Sequence, residues 1–222
     1  MFKHGIDQEA LIAKFAQAGA RQGDTLREAV HRATLQALQG RALTLTHIKQ
    51  VLGTVTQATS AGAAANTLGK VDVEALLAKA FDGMDAALVQ AVQANRKALQ
   101  QLVDQGVSLR ETQAKKALAD IEKMEDALFA TVRKSAATGA GAVLQEPWSR
   151  VLGAAQGHAT GTGAAATAAL EQLLSSTQEG LRTSRALGLQ ASKALLDSYS
   201  ALASGVLIGL CDALQPPKAR KG

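Results

Sequence analysis

Apolar residues recur along this chain at steps of three and four, the spacing that lines one face of an α-helix. Over residues 7–22, Leu11, Ile12, Phe15 and Ala18 share a face, and Asp7 and Glu9 sit near the start, where the helix dipole favours acid. Gly23 interrupts the pattern. Thr25-Leu26-Arg27-Glu28 reads as a capping box, with Thr25 as N-cap, opening a helix that buries Leu26, Val30, Ala33, Leu35 and Leu38 and stops at Gly40. A third helix over about 44–60 carries Leu45, Ile48, Val51, Leu52 and Val55. The small residues 61–65 can prolong it before Gly69.

The next period is longer. Asp72 is placed to cap a helix running to about Asp104, with the seam Leu77, Phe81, Met84, Leu88, Ala91, Asn95, Leu99 and Leu102 in heptad-like steps. Asn95 is the polar exception, read as a partly exposed seam position in preference to a register-setting asparagine. Residues 105–107 form a tight turn, and Ser108-Leu109-Arg110-Glu111 is a second capping box. The helix it opens reaches about Ala137 on a face of Ala114, Ala117, Ile121, Met124, Leu128 and Val132. Two long helices joined by so short a turn are expected to lie antiparallel, giving a hairpin over 72–137.

Beyond a break at Gly139 and Gly141, Pro147 fits the first turn of a short helix, 146–156, bearing Trp148, Val151 and Leu152. The stretch from Gly157 to Gly163 has neither the spacing nor the lysine of a phosphate loop and reads as a linker or hinge. The last helix runs over about 164–214. Leu174, Leu181, Leu195 and Leu202 occupy one heptad position with Gly188 and Gly209. Leu170, Thr177, Ser184, Ala191, Ser198 and Gly205 occupy the other. A seam large on one side and small on the other lets a neighbouring helix approach closely.

Composition strengthens the helical reading. Alanine supplies much of the 47% hydrophobic content, aromatics are 3%, and the prolines are Pro147, Pro216 and Pro217. Strong helix formers dominate, and β-branched runs are nearly absent. The expected fold is all-α: an elongated helical bundle with a long antiparallel helical hairpin, a long C-terminal helix and coiled-coil-like packing. It divides into short helices over 1–69, the hairpin over 70–138, a glycine-rich linker with a short helix over 139–163, the long helix over 164–214 and a basic tail over 215–222.

Charge narrows the partners. The net charge is +5, but the signs are interspersed, as in a solvated helical face rather than a nucleic-acid stripe. The first 138 residues hold 17 basic and 14 acidic side chains, and the remaining 84 hold 7 and 5. The C-terminal part is thus poorer in charge and richer in small residues. Within it, residues 198–211 carry no charge at all, and Gly205 and Gly209 form a GxxxG. That run is shorter than the roughly 20 residues needed to span a bilayer. A basic segment followed by an apolar run is missing at the N-terminus, so a cytoplasmic location is expected.

Candidate chemistry is sparse. His4, His31, His47 and His158 are scattered, none at helical spacing to another. Glu122, Glu125 and Asp126 read as a solvated face, because the Glu-x-x-His pairs of a di-metal bundle are missing. Cys211 is alone and reads as a small buried residue. No enzyme, cofactor or metal site is expected.

An alanine-, glutamine- and leucine-rich helical chain of this kind, with amphipathic stretches over 72–103 and 112–135 and LASGVLIGLCDAL near its end, resembles the bacterial phasins. The resemblance implies a non-enzymatic protein that coats an apolar granule or lipid surface through amphipathic helices. The alternative is a self-associating helical scaffold, and a further one is a membrane-active protein inserting residues 198–211. The expected partners are a second copy of the chain or an apolar granule or lipid surface, with no nucleic acid and no small-molecule substrate. The candidate interaction seam is Leu170, Leu174, Leu181, Leu195, Leu202, Gly205 and Gly209.

Overall fold

The computed structural model describes residues 2–19, 22–39, 43–66, 72–107, 112–183 and 199–214. It is all-α apart from a minimal hairpin at the N-terminus, in which β1 (Phe2–Lys3) pairs antiparallel with β2 (Ile6–Asp7). The turn between them places His4 and Gly5 at φ 52° and 86°, the two positive values that a tight two-residue hairpin turn requires. The helical periodicity had given no sign of this hairpin. It buries Ile6 and hands the chain to α1 (Gln8–Ala16), whose first turn is capped by the Asp7 carboxylate accepting from Ala10 N at 3.1 Å.

The second helix, α2 (Gly23–Leu38), begins two residues before the expected N-cap. Thr25 therefore lies inside the first turn, and the anticipated capping box is not the start of the helix. Asp24 now occupies that turn, where its carboxylate suits the helix dipole, and it pairs with Lys79 Nζ at 3.2 Å. Helix α3 (Leu45–Ala64) starts at the expected place, with Thr44 Oγ1 accepting from His47 N, and continues through the small residues after Ser60. It is buried on more than its leucine/valine face. Thr54, Thr56 and Thr59 lie in the core and satisfy their hydroxyls by donating to the carbonyls of Gln50, Leu52 and Val55.

The longest described helix is α4 (Val73–Asp104), capped by Asp72. It ends in a Schellman arrangement. Val107 N donates to Leu102 O and Gly106 N to Val103 O, both at 2.9 Å, with Gly106 at φ 83°. The second capping box falls outside the described residues. The returning arm is two helices, α5 (Thr112–Glu122) and α6 (Met124–Ala136), separated at Lys123. A 3-10 helix (Gly139–Leu144) leads into α7 (Gln145–Gln156), followed by α8 (Gly161–Thr183) and α9 (Tyr199–Leu214). Whether α8 and α9 are continuous falls outside the described residues.

Helix α4 is the hub. It packs chiefly on α2, α8 and α9, and more lightly on α5 and α6. Helix α3 packs on α1 and α6, so the N-terminal helices are built onto the rest of the bundle. Two glycines allow close helix crossings. A Cβ on Gly83 would lie 2.6 Å from Arg27 O and 2.8 Å from Val30 Cβ, where α4 meets α2. A Cβ on Gly62 would lie 2.5 Å from Phe15 Cβ, where α3 meets α1. The aromatics are spent on long-range links. Phe81 and Phe129 pack with centroids 5.6 Å apart and ring planes tilted by 37°, and buried Trp148 donates its indole N–H to Ser60 Oγ at 2.9 Å.

Candidate functional site

Helices α8 and α9 carry the expected seam, and the structure resolves which way parts of it face. The inward face of α8 is Thr162, Ala166, Ala169 and Leu173, and that of α9 is Tyr199, Ala203, Ser204 and Leu207. Leu170 and Leu202 lie beside these faces, half-buried against the core. Leu174 points away, 59% exposed, and so does Ile208 at 40%. Gly205 is exposed, with nothing within 4 Å of a Cβ placed on it. Leu181 and Gly209 belong to α8 and α9, but their surroundings, like the whole of Leu195, lie outside what is described. Along α8 the inward stripe is therefore offset by one residue from the expected leucine seam.

The contacts that seat these helices are polar and come from α4 and α6. Thr160 precedes α8 as its N-cap, with Oγ1 accepting from Gly163 N at 3.0 Å, and it also donates to Glu125 of α6. The Asp85 carboxylate of α4 accepts from Gly161 N at 2.8 Å and Thr162 N at 2.9 Å, completing the cap from another helix. Thr162 Oγ1 donates to Asp85 O at 3.2 Å. About three turns further along, Arg96 pairs with Gln172. The stretch expected to be a loose linker is thus an anchored helix start. One sign of this was legible, a threonine just ahead of an alanine run. Asp85 was not, because it sits 76 residues away from Gly161.

Helix α9 is seated by Tyr199. Its hydroxyl donates to Asn95 Oδ1, while Asn95 Nδ2 donates to Ala91 O at 3.0 Å. The partly exposed asparagine expected from sequence is therefore a correction: Asn95 is 3% exposed. A buried amide needs partners for both ends, and the phenol and a backbone carbonyl supply them. Burial, reinforced by the charge of Asp120, pushes the Tyr199 phenol far above its ordinary pKa and keeps it a donor.

The remaining polar features are dispersed. An open groove of about 450 Å³ between α4 and α7 is floored by Ala78, Phe81 and Val151 and rimmed by acids, of which Glu74 pairs with Arg150 at 3.4 Å. His158 lines it and is exposed. His47 is buried, its Nε2 3.0 Å from Ala37 O. His31 is half-buried, with its Nε2 3.3 Å from the Gln90 side-chain amide. Its burial lowers the pKa, which Glu28 opposes and Arg27 and Arg32 reinforce. Among the described residues no group of three or more His, Cys, Asp or Glu is arranged to hold a metal ion. No described helix is long and apolar enough to cross a membrane.

These features define a helical bundle whose described C-terminal helices, α8 and α9, are held on a central helix by directional polar contacts. Residues 1–216 match the family described as "Family of unknown function (DUF6781)", and the chain belongs to that family. No curated protein and no solved structure matches it.

Proposed function

We propose that this is a non-enzymatic, phasin-like protein that binds an apolar granule or lipid surface through α8 and α9. The observation that carries the reading is the division of these helices. Their inner faces are mostly small residues, while Leu174 and Ile208 stand on the outside of a segment poor in charge. Large aliphatic side chains held outward gain about 25 cal/mol per Å² on leaving water, and a helix lying along an interface recovers this without crossing it. Such binding is reversible and scales with the area offered. The same two side chains also favour a second reading, a self-associating scaffold in which a second copy covers them.

Co-sedimentation separates the two. Purified protein is mixed with polyhydroxyalkanoate granules or with phospholipid-coated triglyceride droplets, and its mass in solution is measured in parallel. The surface-binding reading expects the protein with the granule or droplet fraction, displaced by excess competing protein-free surface. A chain that stays wholly in solution as a stable multimer sinks that reading and leaves the scaffold.

A further inference from the structure

We propose that the groove between α4 and α7 binds an aliphatic amine carrying two or more ammonium groups. The proposal is independent of the surface-binding reading, since Leu174 and Ile208 lie outside the groove. Its volume of about 450 Å³ is in the range of small-molecule sites. The two walls differ in chemistry. The α7 wall is Val151, Ala154 and Ala155, and Ala78 and Phe81 continue this apolar surface onto α4. The acids all belong to the α4 side, in two groups. Asp72 and Glu74 stand at one end, and Asp82 and Asp85 at the other. From Asp72 to Asp85 the helix advances about 20 Å, at about 1.5 Å per residue. An apolar strip with carboxylates at both ends matches a methylene chain with a cation at each end.

The charge in the groove is poorly balanced by the protein. The whole chain carries +5, yet the residues lining the groove include four acids and no lysine or arginine. Arg150 reaches Glu74 from α7 at 3.4 Å. Asp72 Oδ1 accepts from Ala75 N, and Asp85 accepts from the Gly161 and Thr162 amides. Asp82 makes no hydrogen bond or ion pair among the described residues, and its neighbour Lys79 is turned to Asp24 of α2. Although Asp82 is exposed as a residue, burial of its carboxyl against the groove raises the pKa. Lys79 and Arg27 oppose the shift and Asp85 adds to it. A cation arriving beside Asp82 and Asp85 relieves that repulsion. Hydrogen bonding decides between an amine and a peptide. A peptide on this floor would press its amides against alanine, phenylalanine and valine side chains, while the helix backbones beneath are already hydrogen-bonded within α4 and α7. Desolvated amides without partners are costly, and methylenes have no such groups to satisfy. A bare metal ion would gain nothing from the apolar floor, and no three acids among the described residues are arranged to ligate one.

The test is calorimetric titration of the full chain at low salt with terminal diamines, starting from putrescine and lengthening the methylene chain at fixed charge. Magnesium and a tetralysine peptide are titrated alongside. The variants are Asp82→Asn, which removes the unpaired charge, and Ala154→Arg, which sets a cation on the α7 wall. Both positions are exposed, so the fold tolerates the changes, and the thermal midpoint checks this. Asp104→Asn, at the other end of α4, is the control. The expected result is one diamine per chain, with affinity rising about twofold for each added methylene, as half-burial in an open groove gives. Asp82→Asn and Ala154→Arg are each expected to weaken binding about tenfold, and Asp104→Asn by less than about twofold. Several results would overturn the assignment. They are no diamine binding, affinity that ignores chain length, magnesium or tetralysine binding as tightly as the longest diamine, and an equal loss in Asp82→Asn and Asp104→Asn.

Discussion

At the residue scale, the glycines separate close packing from empty space. Gly83→Ala drives a methyl against the Arg27 carbonyl and Val30. Repacking that crossing is expected to cost about 1–3 kcal/mol in urea unfolding. Gly205→Ala meets nothing within 4 Å, and removing helical glycine there is expected to raise stability by about 0.5–1 kcal/mol. A loss of stability on Gly205→Ala would mean that something packs on that face. His31 gives a pH signature. Its folded-state pKa is lowered, so its contribution is complete above the unfolded value of 6.5 and is lost as pH falls through the folded value. Between about pH 7.5 and about pH 5 the wild-type chain is expected to lose more stability than His31→Gln. Equal losses would show that burial does not disfavour the charged ring. Asn95 marks the limit of legibility at this scale. Its polarity on an apolar face was visible, but the phenol that satisfies it lies 104 residues further along the chain.

At the element scale, caps decided where helices begin. Asp7, Thr44 and Asp72 each accept from an amide three residues on, and each lies where the sequence signals placed a helix start. Thr44→Ala is expected to destabilise the chain by about 0.5–2 kcal/mol, read from the thermal midpoint, while a threonine in the exposed part of α2, Thr25, tolerates alanine. The capping-box pattern misplaced the start of α2 because an acid in the first turn, Asp24, serves the helix dipole without being the N-cap. The division between α5 and α6 escaped the heptad pattern for a related reason. Both helices keep apolar residues in the same register across Lys123, so the periodicity carries through the break.

At the scale of the whole molecule, the three-four period identified a helical chain, and the regular elements of the described residues are helices except for the N-terminal hairpin. The order of packing was not legible. Helix α4 finds its main neighbours in α2, α8 and α9, and periodicity says which face of a helix is apolar but not which distant helix covers it. The family spans residues 1–216, so it includes the C-terminal pair together with the body that holds it. The surface proposed for that pair depends on two side chains, Leu174 and Ile208, which the fold spends no core volume on. The most direct measurement is the fraction of full-length protein retained on phospholipid-coated droplets, for wild type and for the Leu174→Glu/Ile208→Glu variant. Two buried charges at an apolar interface are costly, so retention is expected to fall about tenfold or more while the helical content and thermal midpoint stay unchanged. Equal retention of the two proteins would contradict the assignment of α8 and α9 as the working surface.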